Sequence, residues 1–265
     1  MRHVVCLLLL LIPLASASEI AGFAPGNDQA MNGLALAEEA DRRGQGYGDT
    51  QSAMRMTLFN KRGDSVTRSM RSKTLEMPDA GDRTLLFFLD PADVRGTAFL
   101  THSFEDRDDD QWLYLPALKR VKRIASSQRD GAFMSSEFSY EDLGADEVAK
   151  YTYRYLGETT IDGEPAYTLE RTPVARSGYS KHVVTMDQSE LRARKVEYFD
   201  RTGTLLKTLT ASNYQRYLDQ YWRPLRMEMV NHQNGKRTVL EWENYEFGAG
   251  LPMRDFERNA LRDIR

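Results

Sequence analysis

The chain has 265 residues, of which 41% are hydrophobic, 28% charged and 10% aromatic, an ordinary globular balance that excludes wholesale disorder. A formal net charge of −3 argues against a strongly electrostatic nucleic-acid binder. No internal stretch reaches the roughly 20 apolar residues that a membrane-spanning helix needs.

The one long apolar run stands at the N-terminus. Met1-Arg2-His3 is a short cationic head, residues 4–14 are apolar, and Ala15-Ser16-Ala17 is the small-x-small sequence that a signal peptidase accepts. The reading is a signal peptide over 1–17, cut after Ala17, with 18–265 exported as one domain. The single cysteine, Cys6, lies inside that signal, so the exported chain has no disulfide and no thiol ligand or nucleophile. A cysteine-free exported protein fits a bacterial periplasm better than a disulfide-stapled scaffold does.

Asn27 or Asp28 can cap a helix in which Ala30, Met31, Leu34, Ala37 and Ala40 recur at helical spacing, before Asp41-Arg42-Arg43 and Gly44 end it. From about Thr50 the pattern becomes period-two almost to the end. Met54, Met56 and Leu58 alternate with Arg55, Thr57 and Phe59, and Lys61-Arg62-Gly63-Asp64 turns the chain into a return strand over 66–75. Residues 85–89 are continuously apolar, as expected of a strand covered on both faces. Strand patterns follow at 97–104, 111–115, 121–124, 151–155, 167–171, 182–186, 193–199, 205–210, 224–231 and 236–247. Asp162-Gly163 and Asn234-Gly235 signal hairpin turns among them. The expectation is ten or eleven antiparallel strands with no βαβ alternation. Open edges invite aggregation, so a strongly curved sheet or barrel-like shell is the economical architecture.

No catalytic motif shows: there is no G-x-S-x-G elbow, P-loop or G-x-G-x-x-G. His102, His182 and His232 occur singly, without the paired spacing of zinc ligands. The acidic run 105–110 lacks the glycine and glutamate of a calcium loop and reads as a solvated turn. No metal or cofactor is expected. Arg62-Gly63-Asp64 is read as turn chemistry, not as an adhesion signal.

Two features rise above this background. Large, soft apolar side chains are abundant on the strands, and one helix is too small to cover the concave side of such a sheet. Met54, Met56, Phe87, Trp112, Tyr114 and Tyr153 are the residues expected to line an uncovered apolar hollow fit for an acyl chain. That assignment rests on which strand face is concave, and a one-residue slip of register inverts it. The second feature is Lys119, Arg120, Lys122 and Arg123, just after an aromatic strand that ends at Pro116. These cations read either as gatekeepers of an edge strand or as a patch for anionic headgroups or an acidic partner.

Trp112-Leu113-Tyr114-Leu115-Pro116, the basic stretch to Ile124, and Phe133-Met134-Ser135-Ser136-Glu137-Phe138-Ser139-Tyr140-Glu141-Asp142-Leu143 resemble the LolA-like outer membrane lipoprotein-sorting proteins, in the branch associated with RND-type exporters. The resemblance implies a mainly β, single-domain, unclosed antiparallel barrel of about eleven strands with a helical plug or lid, in which 133–143 is a loop-plus-helix insertion near the cavity mouth. It also implies a soluble periplasmic carrier of lipoproteins or other acyl lipids, not an enzyme, working with an inner-membrane RND-type transporter and touching membranes transiently. The helix at about 28–43 is then the lid. The rival expectation is a module that docks on the exporter and carries nothing.

Overall fold

The computed structural model describes residues 20–263 apart from 25, 78 and 79, so the export signal read at 1–17 lies outside the described residues. Helix α1 (Gln29–Gly44) begins where its cap dictates. The Asp28 carboxylate accepts from the Met31 backbone N–H at 2.7 Å, satisfying one donor of the first turn. Arg42 and Arg43 occupy the last turn, where the helix dipole favours cations.

The rest is one sheet. Strands β1 (Asp49–Phe59), β2 (Ser65–Leu75), β3 (Arg83–Asp90), β4 (Ala98–His102), β5 (Asp110–Leu115) and β6 (Arg120–Ile124) form a meander. A second meander comprises β7 (Tyr151–Ile161), β8 (Glu164–Pro173), β9 (Tyr179–Asp187), β10 (Ala193–Asp200), β11 (Leu205–Tyr217), β12 (Tyr221–Asn231) and β13 (Arg237–Phe247). The two join through antiparallel β1–β13, and β6 and β7 are the opposite, unpaired edges. The mainly β, unclosed antiparallel architecture with one α-helix is as expected. Among the described residues the strands number thirteen rather than about eleven: each of the strand patterns read along the sequence, short β4, β5 and β6 included, takes its place in the one sheet. At the β7–β8 turn Asp162 (φ 51°) and Gly163 (φ 84°) both take positive φ, as a two-residue hairpin requires.

Because β6 and β7 are the far edges, their connection, 125–150, has to cross the sheet. It does so on the inner face. Phe133 is fully buried there, 5.0 Å from Phe99 of β4 and 6.0 Å from Phe88 of β3 between ring centroids. A few residues on, the Asp142 carboxylate meets Lys207 of β11 at 2.5 Å and the Tyr179 hydroxyl of β9 at 2.8 Å. Strands from both halves therefore grip one segment, and the sheet curls around it. The expected loop-plus-helix near the mouth is instead an interior plug built on short 3-10 turns at Phe133–Ser135 and Glu141–Leu143. The acidic run is a solvated turn only over its exposed first half, 105–107. Asp108 pairs with Arg129 and buried Asp109 with Lys150, each at 2.6 Å, tying both ends of the plug to the β4–β5 loop.

The sheet is apolar on both sides of its first half. Met54, Met56, Met70, Leu86, Phe88 and Phe99 face inward with the plug. Leu85, Phe87, Ala98 and Leu100 face outward, where Phe256 and Leu261 of the C-terminal segment cover them. That double coverage explains the unbroken apolar run in β3.

Candidate functional site

Helix α1 packs along the edge strand β7. At Gly33 a Cβ would fall 2.9 Å from the backbone nitrogens of Arg154 and Tyr155, so a glycine is needed for the approach. Leu36, one turn later, is fully buried. The plug fills the inner face beneath the first meander but does not extend fully under the second. Between α1 and β7–β12 a hollow remains, in two lobes of about 890 and about 1020 Å³. The smaller is floored by Tyr153, Leu169, Val184 and Met186, the larger by Val196, Leu209, Ala211 and Met227. Ala40, Gly44, Asp146, Leu191, Ala193 and Arg223 border both, so the C-terminal end of α1 divides one space.

A polar group projects into this apolar floor. Arg171 of β8 pairs with Asp146 at 3.0 Å, stacks on the Tyr151 ring at 4.5 Å, and donates through Nε to His182 Nδ1 at 3.0 Å. The Nε–H donor leaves Nδ1 as the imidazole acceptor and places the ring proton on Nε2, which is buried without a hydrogen-bond partner among the described residues. Burial, reinforced by the Arg171 charge, pushes the His182 pKa down to about 3, so the ring is neutral at ordinary pH. Burial opposes the charge on Arg171, but the carboxylate of Asp146 outweighs it and holds the guanidinium protonated. The Asp146 side chain is 67% exposed because it stands in the open hollow. At the mouth, burial followed by repulsion from neighbouring carboxylates raises the pKa of Asp41, and burial raises that of Glu147 against the attraction of Lys150.

Of the six side chains expected to line the hollow, only Tyr153 does so. Met54 and Met56 do face inward, but they pack in the core beside the plug and border neither lobe. Phe87, Trp112 and Tyr114 lie on the outer face, against the C-terminal segment, with Trp112 edge-on to His102 at 4.9 Å. The reason is parity. A strand covered on both sides carries no polar face to declare its orientation, and the inward residues here are Leu86, Phe88 and Leu113. The true floor lies mostly on β8–β12, where the only sequence signal was ordinary alternation, as in Val184 and Met186.

Lys119, Arg120, Lys122 and Arg123 are all exposed on and beside the free edge strand β6. Arg123 is paired with Asp110, and Lys119 adopts the left-handed conformation of a tight turn (φ 48°). The turn preceding β6 is at the strand end opposite the loops around 44–48, 76–82 and 189–193 that frame the hollow. The patch and the mouth are thus separate.

A family model described as "Uncharacterized protein" matches residues 80–263. The chain is similar to an outer membrane lipoprotein-sorting protein domain from Vibrio parahaemolyticus, at 49% identity and a TM-score of 0.86 over 88% of this chain and 99% of that one. It is also similar to a DUF1329 family protein from Desulfovibrio piger, at 32% identity and a TM-score of 0.84 over 89% and 100% of the two chains. A LolA superfamily protein from Nitrosomonas europaea, 24% identical over 86% and 98%, shares the fold with a TM-score of 0.68. No protein of curated function matches the sequence.

Proposed function

The chain belongs to the LolA-like family of outer membrane lipoprotein-sorting proteins, and from that premise we propose that it is a periplasmic carrier which shelters the acyl chains of lipoproteins or other lipids without covalent chemistry. The observation that carries the reading is the open hollow beneath α1, whose lining is part apolar and part polar. A core with no ligand to accommodate packs to crystal-like density, whereas this inner face is filled by the plug on one half and left open on the other. Each methylene transferred from water to the apolar part of that lining contributes about 0.8 kcal/mol, so a long chain is retained without directional contacts. Helix α1, held by close approach at one glycine, is the natural cover, and its displacement gives the route in and out.

The test is native mass spectrometry with lipid extraction on protein purified from the periplasm. An acyl lipid bound at one copy per chain supports carriage. Protein that is lipid-free and stays empty when offered lipoprotein or phospholipid overturns it. The exposed cations of β6 support a second element of the proposal, transient docking on a membrane surface or on an inner-membrane RND-type transporter. Lys119, Arg120 and Lys122 have no ion-pair partner among the described residues, and the strand edge beside them is open. Reversing all four charges should weaken docking while leaving lipid content unchanged; unaltered docking would sink this element alone.

A further inference from the structure

The two lobes share a floor chemistry and the charged wall residues Asp146 and Arg223, but the rest of their rims differ. The smaller lobe is bordered by Asp41, Glu76, Asp82, Glu105 and Glu147, none of which has a cationic partner within ion-pair distance among the described residues. The larger lobe is bordered by arginines. Arg192 is matched by Asp187 at 2.8 Å and Arg194 by Asp162 at 2.6 Å. Arg223, which borders both lobes, has no carboxylate within ion-pair distance among the described residues, although it attracts Asp82 of the acidic rim at longer range. Its guanidinium lies over the rings of Tyr47, Phe247 and Tyr221 at 4.9, 5.6 and 5.9 Å, and its one hydrogen bond goes from Nη1 to the Trp222 carbonyl at 3.1 Å. A guanidinium with its face on aromatic rings keeps its N–H edge available, in the fork geometry that fits an oxyanion. Exposed Arg216 adds a second cation without an ion-pair partner among the described residues on the same rim, which also carries Glu190 and Asp219.

Resting on the carrier reading, we propose that the hollow selects by headgroup charge: an acyl amphiphile with an anionic carboxylate or phosphate head lies in the larger lobe, its chain on Val196, Leu209, Ala211 and Met227 and its oxyanion on Arg223. Arg223 stands on the wall common to both lobes, and the acidic rim of the smaller lobe repels the same headgroup, so the head is turned to the larger-lobe side of the guanidinium.

The experiment compares four probes of one chain length on delipidated full-length mature protein, each below its micelle concentration: hexadecanoate, hexadecyl phosphate, hexadecanol and hexadecylammonium. Both anions are expected to bind about tenfold or more tighter than hexadecanol, in line with a charge-assisted hydrogen bond. The stronger of the two identifies the headgroup as carboxylate or phosphate. Arg223→Gln should erase the preference, bringing the two anions and hexadecanol to within about twofold of one another. Equal binding of anions and alcohol by the unaltered protein, or tightest binding of the ammonium, overturns headgroup selection and leaves the carrier reading standing; this comparison needs no variant to fold. A preference that survives in Arg223→Gln overturns the assignment to Arg223. Failure of all four probes overturns the carrier reading as well.

Discussion

The plug depends on one buried ion pair, and Asp142→Asn tests that dependence. Lys207 and Asp142 are 4% and 3% exposed and 2.5 Å apart. The carboxylate also accepts from the Ser139 backbone N–H at 2.6 Å and the Tyr179 hydroxyl at 2.8 Å, and Lys207 donates to the Glu137 carbonyl at 3.0 Å between the rings of Tyr179 and Tyr198. Replacing one partner leaves the other charge buried and uncompensated, at a cost of about 3–5 kcal/mol. Asparagine is isosteric and can still accept one of the two hydrogen bonds, so the lower end, about 3 kcal/mol, is expected. At roughly 2–4 °C per kcal/mol for a domain of this size, Tm should fall by about 6–12 °C. Urea unfolding gives the free energy, and limited proteolysis within 125–150 reports whether the plug itself is loosened. The double variant Asp142→Leu/Lys207→Met removes both charges and should recover most of the loss. A single variant that costs less than about 1 kcal/mol, or a double variant no better than the single, refutes the pinning argument.

Gly33→Ala should destabilise by about 1–2 kcal/mol, because overpacking against the β7 backbone exceeds the roughly 1 kcal/mol that alanine adds to a helix; a net gain in urea titration would show that α1 is not held by this approach. Ala193→Trp, on the wall common to both lobes, should reduce binding of a fluorescent acyl probe at least tenfold with little change in the urea midpoint, and undiminished binding would place the chain elsewhere. His182 has its folded pKa pushed down to about 3 from the ordinary 6.5, so between these values the unfolded chain binds the extra proton and stability falls as pH falls. From this residue alone about 2 kcal/mol should be lost on going from pH 7.5 to pH 5. His182→Gln should flatten that part of the pH–stability curve; an unchanged slope would assign the acid sensitivity to other groups.

Local chemistry made much of this protein legible before any coordinates. The Asp28 cap, the helical spacing of Ala30 to Ala40, the Asp162-Gly163 turn and the period-two strands depend on neighbours within a few positions, and each stands where the sequence placed it. Alternation also fixed the antiparallel class, since no helix separates one strand from the next. The site was far less legible. Which of Phe87 and Phe88 faces inward is decided by what covers the other side, and the cover is Phe256, some 170 positions along the chain. Arg171 and Asp146 gave no signal because their meaning lies in a 3.0 Å contact between strand and plug. The sequence by itself determined the elements, their turns and the excess of apolar strand surface. Only the tertiary structure decided where that excess stays uncovered, because the crossing from β6 to β7 fills one half of a curled sheet and stops short of the other.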